Sequence, residues 1–299
     1  MNILGFIPSP SRGILHVGPL PLHAYGLFLA AGVLVAAAIA ERRWVRRGGR
    51  PGTIGEIGVF VVVSGIIGAR VYHLFTGYDW DTGGIAGTVK IWQGGLSIWG
   101  AVAGGALAVV VVARVRRLPT LRLLDAIAPG VVMAQAIGRW GNYFNQELFG
   151  RPTRLPWGLE IDFAHRPRQY AAFKTFHPTF LYESLWCLVI FGLLLWSERR
   201  FRLRAGQTVA LYIALYTFGR FFLELMRSDP ATKIFGVRFN ALLSAALCVG
   251  ATVWFVMLGR HGVEAGRVEA GDVDVGAVDV GAGDTSHTAD AADLDTPTT

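Results

Sequence analysis

Seven stretches of this chain, at about residues 20–40, 54–74, 95–112, 121–138, 179–196, 207–226 and 239–258, are apolar and almost free of charge. Each is long enough to cross a hydrocarbon core about 30 Å thick as a helix rising about 1.5 Å per residue. Backbone immersed in hydrocarbon has to satisfy its own polar groups, so seven such stretches predict an all-α, polytopic transmembrane bundle. The chain has 16% charged residues, against roughly a quarter in an ordinary soluble domain, which excludes a soluble globule. Cys187 and Cys248 fall in separate apolar runs, which argues against a disulfide framework or a cysteine metal site.

Charge sets the expected orientation. Residues 262–299 hold nine acids against Arg267, a charge of −8, which leaves about +15 on the rest of a chain whose net charge is +7. The surplus is concentrated in alternate loops: Arg42, Arg43, Arg46, Arg47 and Arg50; Arg114, Arg116, Arg117 and Arg122; Arg199, Arg200, Arg202 and Arg204. Arginines so placed fix orientation and meet anionic headgroups rather than nucleic acid, and they put these loops in the cytoplasm. The N-terminus and the segments 78–93, 139–178 and 228–238 then lie outside, and the C-terminus inside. The first span lacks a cationic start and a small-residue cleavage pattern, so it reads as uncleaved. Span four and span five are joined by a longer segment expected to form a small outward-facing head. Two domains are expected: a transmembrane domain, 1–260, and an acidic tail, 261–299, too poor in large side chains to order itself.

Polar residues interrupt the apolar pattern at a few places. At the end of span four, the block Gly138 to Gly150 packs Arg139, Asn142, Asn145, Gln146 and Glu147 at the apolar boundary. If helical, it sets Arg139, Asn142 and Gln146 on one face, and Gly138 and Gly141 admit a close neighbour. In span six, Tyr216, Arg220, Glu224 and Arg227 share a stripe; Arg220 and Glu224 can neutralise each other, leaving Arg227 to suit an anion. Smaller signals are His23 and Tyr25 at the start of span one, Arg70 in span two, the run Gly94-Gly95-Leu96-Ser97-Ile98-Trp99-Gly100, and His177-Pro178-Thr179-Phe180-Leu181-Tyr182-Glu183, whose proline suits a helix start. Intramembrane polar groups are functional candidates by default, with helix-to-helix hydrogen bonding as the plain alternative. The glycine pair lacks the strand and the Lys-Ser/Thr of a nucleotide loop.

Together these segments resemble the prolipoprotein diacylglyceryl transferase family over about residues 16–258, and the Gly138–Gly150 block resembles that family's signature. The resemblance implies a seven-span plasma-membrane enzyme of the bacterial inner membrane. Such an enzyme moves the diacylglyceryl group of phosphatidylglycerol onto the lipobox cysteine of a prolipoprotein, forms a thioether and releases glycerol phosphate. No metal or soluble cofactor is implied. By motif, Arg139, Tyr25, Asn142, Glu147, Arg220 and Glu224 correspond to the catalytic positions. Arg139, Arg220, Asn145, Gly150 and Arg70 are the expected phosphatidylglycerol contacts. Many members carry a histidine, proposed as the base, where this chain has Trp99; that role does not transfer.

The chemistry suits the residues. Expelling a phosphate ester builds negative charge that arginine meets with two fixed donors, more strongly in a poorly hydrated cavity. The nucleophile arrives with the substrate, so neither cysteine is needed, and both are expected away from the polar motifs. Proton removal is left open among Glu147, Glu224, Tyr25 and water. Asn142 and Asn145 are expected to bind glycerol hydroxyls or to orient Arg139. A transporter would require inverted halves and charges near the bilayer centre, and neither is found. A non-catalytic lipid-binding protein of the same fold stays as the alternative.

Overall fold

A computed structural model describes residues 6–10, 13–17, 20–76, 97–229 and 231–271. Among the described residues are seven helices long and apolar enough to cross a membrane. They are α1 Ala24–Arg46, α2 Thr53–Thr76, α3 Ile98–Val115, α4 Thr120–Asn145, α5 Thr179–Arg200, α6 Gln207–Met226 and α7 Phe239–Gly271. Most run past the apolar stretch that announces them, because a helix tolerates polar residues at its ends. The run expected from residue 20 instead starts as β2, Leu20–His23, paired antiparallel with β1, Ile14–Val17. Helix α7 continues past residue 260, where the tail was expected to begin; residues 272–299 lie outside the described residues, as do Gly94, Gly95, Leu96 and the whole 78–93 segment.

Small residues let the helices approach closely. Where α2 crosses α3, a Cβ on Gly100 would lie 2.0 Å from the Gly68 carbonyl oxygen, and one on Gly104 2.3 Å from that of Ser64. Where α1 crosses α4, a Cβ on Gly130 would lie 2.5 Å from the Ala36 oxygen. In lipid, helices gain from packing rather than from burying apolar surface, so such backbone contacts hold the bundle together. Helix α4 is the hub: its Leu123 and Ala126 pack with Ala40, Trp44, Ile57 and Ala113, and further along Val132 and Ala136 pack with Cys187, Ile190 and Leu194 of α5.

Pro129 stands inside α4 and has no N–H to give the carbonyl one turn back. That carbonyl, on Asp125, accepts from Arg43 at 3.3 Å, and the next, on Ala126, at 3.2 Å. The Asp125 carboxylate turns the other way and caps α6, accepting from the backbone of Gly206 at 2.7 Å and Val209 at 2.9 Å. Arg43 also grips Glu198 of α5 at 2.6 Å, and Thr208 donates to the same carboxylate at 2.8 Å. One charged knot thus joins α1, α4, α5 and α6 about 20 Å along α4 from Arg139.

Between α4 and α5 the chain forms β3, Leu159–Glu160, and β4, Thr175–Phe176, paired antiparallel, with two single 3-10 turns at Phe163–His165 and Arg168–Tyr170. Phe149, Leu159, Ile161, Phe176 and Phe180 make its own apolar core. A last hairpin, β5 Lys233–Ile234 with β6 Val237–Arg238, joins α6 to α7.

Candidate active site

Helix α4 ends abruptly. Gln146 takes left-handed φ of 50° and Leu148 of 57°, conformations that cost a non-glycine residue about 1 kcal/mol or more each. Both are held in place. The Gln146 amide accepts from the Asp162 backbone at 2.7 Å and donates to the Pro10 carbonyl at 2.9 Å, while the Leu148 carbonyl accepts from the Thr179 hydroxyl. Gln146 therefore leaves the Arg139–Asn142 face and points into the α4–α5 segment, contrary to the helical expectation. Between the two strained residues, the Glu147 carboxylate accepts from Asn142 at 2.8 Å and Asn145 at 3.3 Å.

Arg139 of α4 and Arg220 of α6 converge on one carboxylate, Glu183 of α5. Arg139 Nη2 lies 2.6 Å from Oε1, and Arg220 Nη1 lies 3.2 Å from Oε2. Tyr216 donates to Oε1 at 3.2 Å. Arg220 also binds Glu224 at 2.8 Å; Glu224 is wholly buried and takes Arg227 at 3.5 Å and Arg238 at 2.8 Å. Arg227 in turn binds Asp229 at 2.7 Å. Burial would raise the Asp229 carboxyl, but the hydrogen bonds of Arg227 and the charges of Arg227 and Arg238 outweigh it and hold the group below the ordinary range. Four guanidinium groups thus meet three carboxylates, a cluster of net charge +1.

Arg139, Asn142, Leu148, Thr179, Phe180, Glu183, Arg220, Leu223 and Arg227 line a narrow recess of about 10 Å³, room for a single water. A second, wider recess of about 340 Å³ is lined by residues including His23, Asn145, Glu147 and His165. Asn142 lines the first and Glu147 the second, and the hydrogen bond between them links the two linings. Among the described residues, no group of three or more His, Cys, Asp and Glu is disposed to hold a metal ion.

Other expected site residues fall outside the arginine recess. The Tyr25 ring packs on Gly141, where an added Cβ would sit 2.6 Å from the ring; Gly138 has nothing within that reach, so only one of the two glycines admits a neighbour. Gly150 is a packing position. It donates to the His177 carbonyl at 2.9 Å and bridges to Arg227, and a Cβ there would come within 2.7 Å of His177. Arg70 belongs to α2, two residues beyond the Gly68 crossing. His177 Nδ1 lies 3.2 Å from the Tyr182 hydroxyl, which accepts from Trp157 at 2.9 Å; burial holds His177 below the ordinary histidine value.

Three readings need correction. Arg227 is not a spare charge, because Asp229 binds its Nε and Nη2 at 2.7 and 2.8 Å and Glu224 lies 3.5 Å from its Nη1. Cys187 is not remote from the polar motifs: one helical turn after Glu183, it lies within electrostatic reach of Glu183 and Arg139. Glu183 and Arg238, absent from the expected site, are central to it. Glu183 was visible as the last residue of the His177–Glu183 run, whereas Arg238 carried no signal in its own segment.

A family model described as prolipoprotein diacylglyceryl transferase matches residues 12–257. The chain is 48% identical over 266 residues to phosphatidylglycerol–prolipoprotein diacylglyceryl transferase 2 of Streptomyces coelicolor, covering 87% of this chain and 84% of that protein. It is 50% identical over 261 residues to the phosphatidylglycerol–prolipoprotein diacylglyceryl transferase of Frankia alni, covering 86% and 69%. To the protein of that name from Rhodococcus jostii it is 48% identical over 273 residues, covering 85% and 75%.

Proposed function

The chain belongs to the prolipoprotein diacylglyceryl transferase family, and we infer from that membership that it transfers the diacylglyceryl group of phosphatidylglycerol to prolipoproteins at the arginine recess. It is a multi-pass protein of the bacterial inner membrane. The acceptor atom is the lipobox cysteine sulfur: its S–H proton leaves, sulfur bonds to the glycerol carbon, and the carbon–oxygen bond to phosphate breaks, releasing glycerol phosphate. Residues 1–260 carry the reaction, with the N-terminus outside, and 261–299 form a cytoplasmic tail without a part in it.

One observation carries this reading: guanidinium groups from two separate helices close on a single anionic position, now filled by Glu183. A phosphodiester offers the same forks two non-ester oxygens, as a carboxylate does. Donor binding then exchanges Glu183 for phosphate on Arg139 and Arg220 and widens the recess. Both cations stabilise the charge that grows on the leaving oxygen. Asn142 orients Arg139, whose Nη1 reaches the Asn142 oxygen at 3.4 Å. Glu183 and Glu224 are already engaged by arginines. Glu147 is held by amides alone and faces the wider recess, so the thiol arrives from that side and Glu147 takes its proton. Tyr25 closes the α1 side against Gly141.

The direct test is mass spectrometry of a lipobox peptide incubated with purified protein and phosphatidylglycerol, where a diacylglyceryl thioether is expected. Arg139→Lys keeps the charge and loses the fork; turnover is expected to fall about two to three powers of ten. Near-normal turnover with membrane-inserted protein contradicts the assignment.

A further inference from the structure

A residue that shares Glu224 with Arg220 does not line the recess. After α6 the chain turns back through the β5–β6 hairpin, and Arg238 at its end reaches inward. Its Nε donates to Glu224 Oε1 at 2.8 Å, its Nη1 to the Asp229 carbonyl at 2.8 Å, and its Nη2 to Asp229 Oδ2 at 3.1 Å. All three nitrogens are engaged, which fixes the guanidinium plane. Glu224 is buried, and its two oxygens are divided: Arg238 holds Oε1, while Oε2 serves Arg220 at 2.8 Å and Arg227 at 3.5 Å.

This division decides where Arg220 points. A guanidinium beside an unshared carboxylate binds both its oxygens, fork to fork. Arg220 instead gives Glu224 only Nη2 and extends Nη1 towards Glu183 and the recess. With Arg238 gone, Oε1 would be a buried carboxylate oxygen without a donor, and it would draw Arg220 onto both oxygens. The Nη1 edge would then swing away from the place where a phosphate binds. Arg238 also supplies the fourth positive charge, without which the cluster is neutral and loses its preference for an anion.

We propose that Arg238 is a positioning residue for the transfer reaction, holding Glu224 and Asp229 so that Arg220 keeps one edge of its guanidinium turned to the donor phosphate. This rests on the transferase reading above. The chemistry is recognition of a phosphate monoanion carried by a lipid, and Arg238 acts on it only through Arg220.

The test uses the full chain purified in detergent, with thioether formation followed while phosphatidylglycerol and a lipobox peptide are varied separately. Arg238→Gln is expected to raise KM for phosphatidylglycerol and to lower kcat/KM by about a hundredfold, the scale of a misplaced binding group, with KM for the peptide unchanged. Arg238→Lys keeps the charge without the three-nitrogen grip and recovers part of the loss. Binding of glycerol 1-phosphate, measured by calorimetry, is expected to weaken in parallel with the donor KM. A fall in kcat alone, with donor KM and glycerol phosphate binding at parent values, marks a merely structural role and overturns the proposal; so does a variant indistinguishable from the parent. If Arg238→Gln does not fold, Arg238→Lys decides, since unchanged donor KM in it is equally fatal. A parent protein that makes no thioether defeats the transferase reading instead, and the two failures are told apart at the first assay.

Discussion

At the scale of single residues, the chemistry divides between groups that were legible from spacing and groups that were not. Arg139 and Asn142, or Arg220 and Glu224, lie three or four apart within one helix, so their shared face follows from helix geometry alone. Glu183 and Arg238 meet them from other elements, and no local pattern announces such a meeting. Gln146 misled for a different reason: the helix stops in a left-handed turn, which extrapolation from periodicity does not foresee. Tyr25→Phe keeps the ring on Gly141 and removes only the hydroxyl. Because the ring closes the α1 side and Glu147 takes the proton, turnover and melting temperature are expected to stay near parent values, and a fall of about two powers of ten or more would give the hydroxyl a part in the proton transfer. His177 makes a pH prediction. Its folded pKa lies below the unfolded value of about 6.5, so the folded state binds fewer protons there. The stability it contributes is complete above that value and is lost as pH falls through the folded pKa. Melting temperatures of parent and His177→Gln across pH 5 to 8 should diverge at the high end and converge as the pH drops; parallel curves refute it.

At the scale of elements, all seven spans were readable because a membrane admits so few solutions, yet their ends were not. Apolar runs stop at the first charge, while α1 runs on to Arg46 and α4 to Asn145, where side chains of other helices or backbone caps receive the polar groups. The placement of α6 on α4 depends on Asp125, which supplies acceptors for two N–H groups that would otherwise be orphaned at a buried helix start. Asp125→Ala is expected to destabilise the protein by about 1–3 kcal/mol. The check is a lowered melting temperature in detergent, with Asp125→Asn less affected because an amide oxygen still caps; equal behaviour of the two variants would discount the cap.

At the scale of the whole molecule, the bundle separates a structural end from a chemical one. The knot of Arg43, Asp125, Glu198 and Thr208 ties four helices together at one end of α4, and the arginine recess opens at the other. The arginine loops predict a sidedness that labelling tests. In a Cys248→Ser background, an impermeant maleimide is expected to label Lys233→Cys in intact cells and Arg202→Cys only after permeabilisation; the reverse order inverts the topology. The crossing of α2 and α3 bears on how a lipid reaches the recess. Where Gly68, Gly100 and Gly104 bring two backbones together, no layer of side chains remains to part. That pair is a welded plank in the wall, and a two-tailed molecule arriving sideways from the bilayer has to find its doorway at another seam.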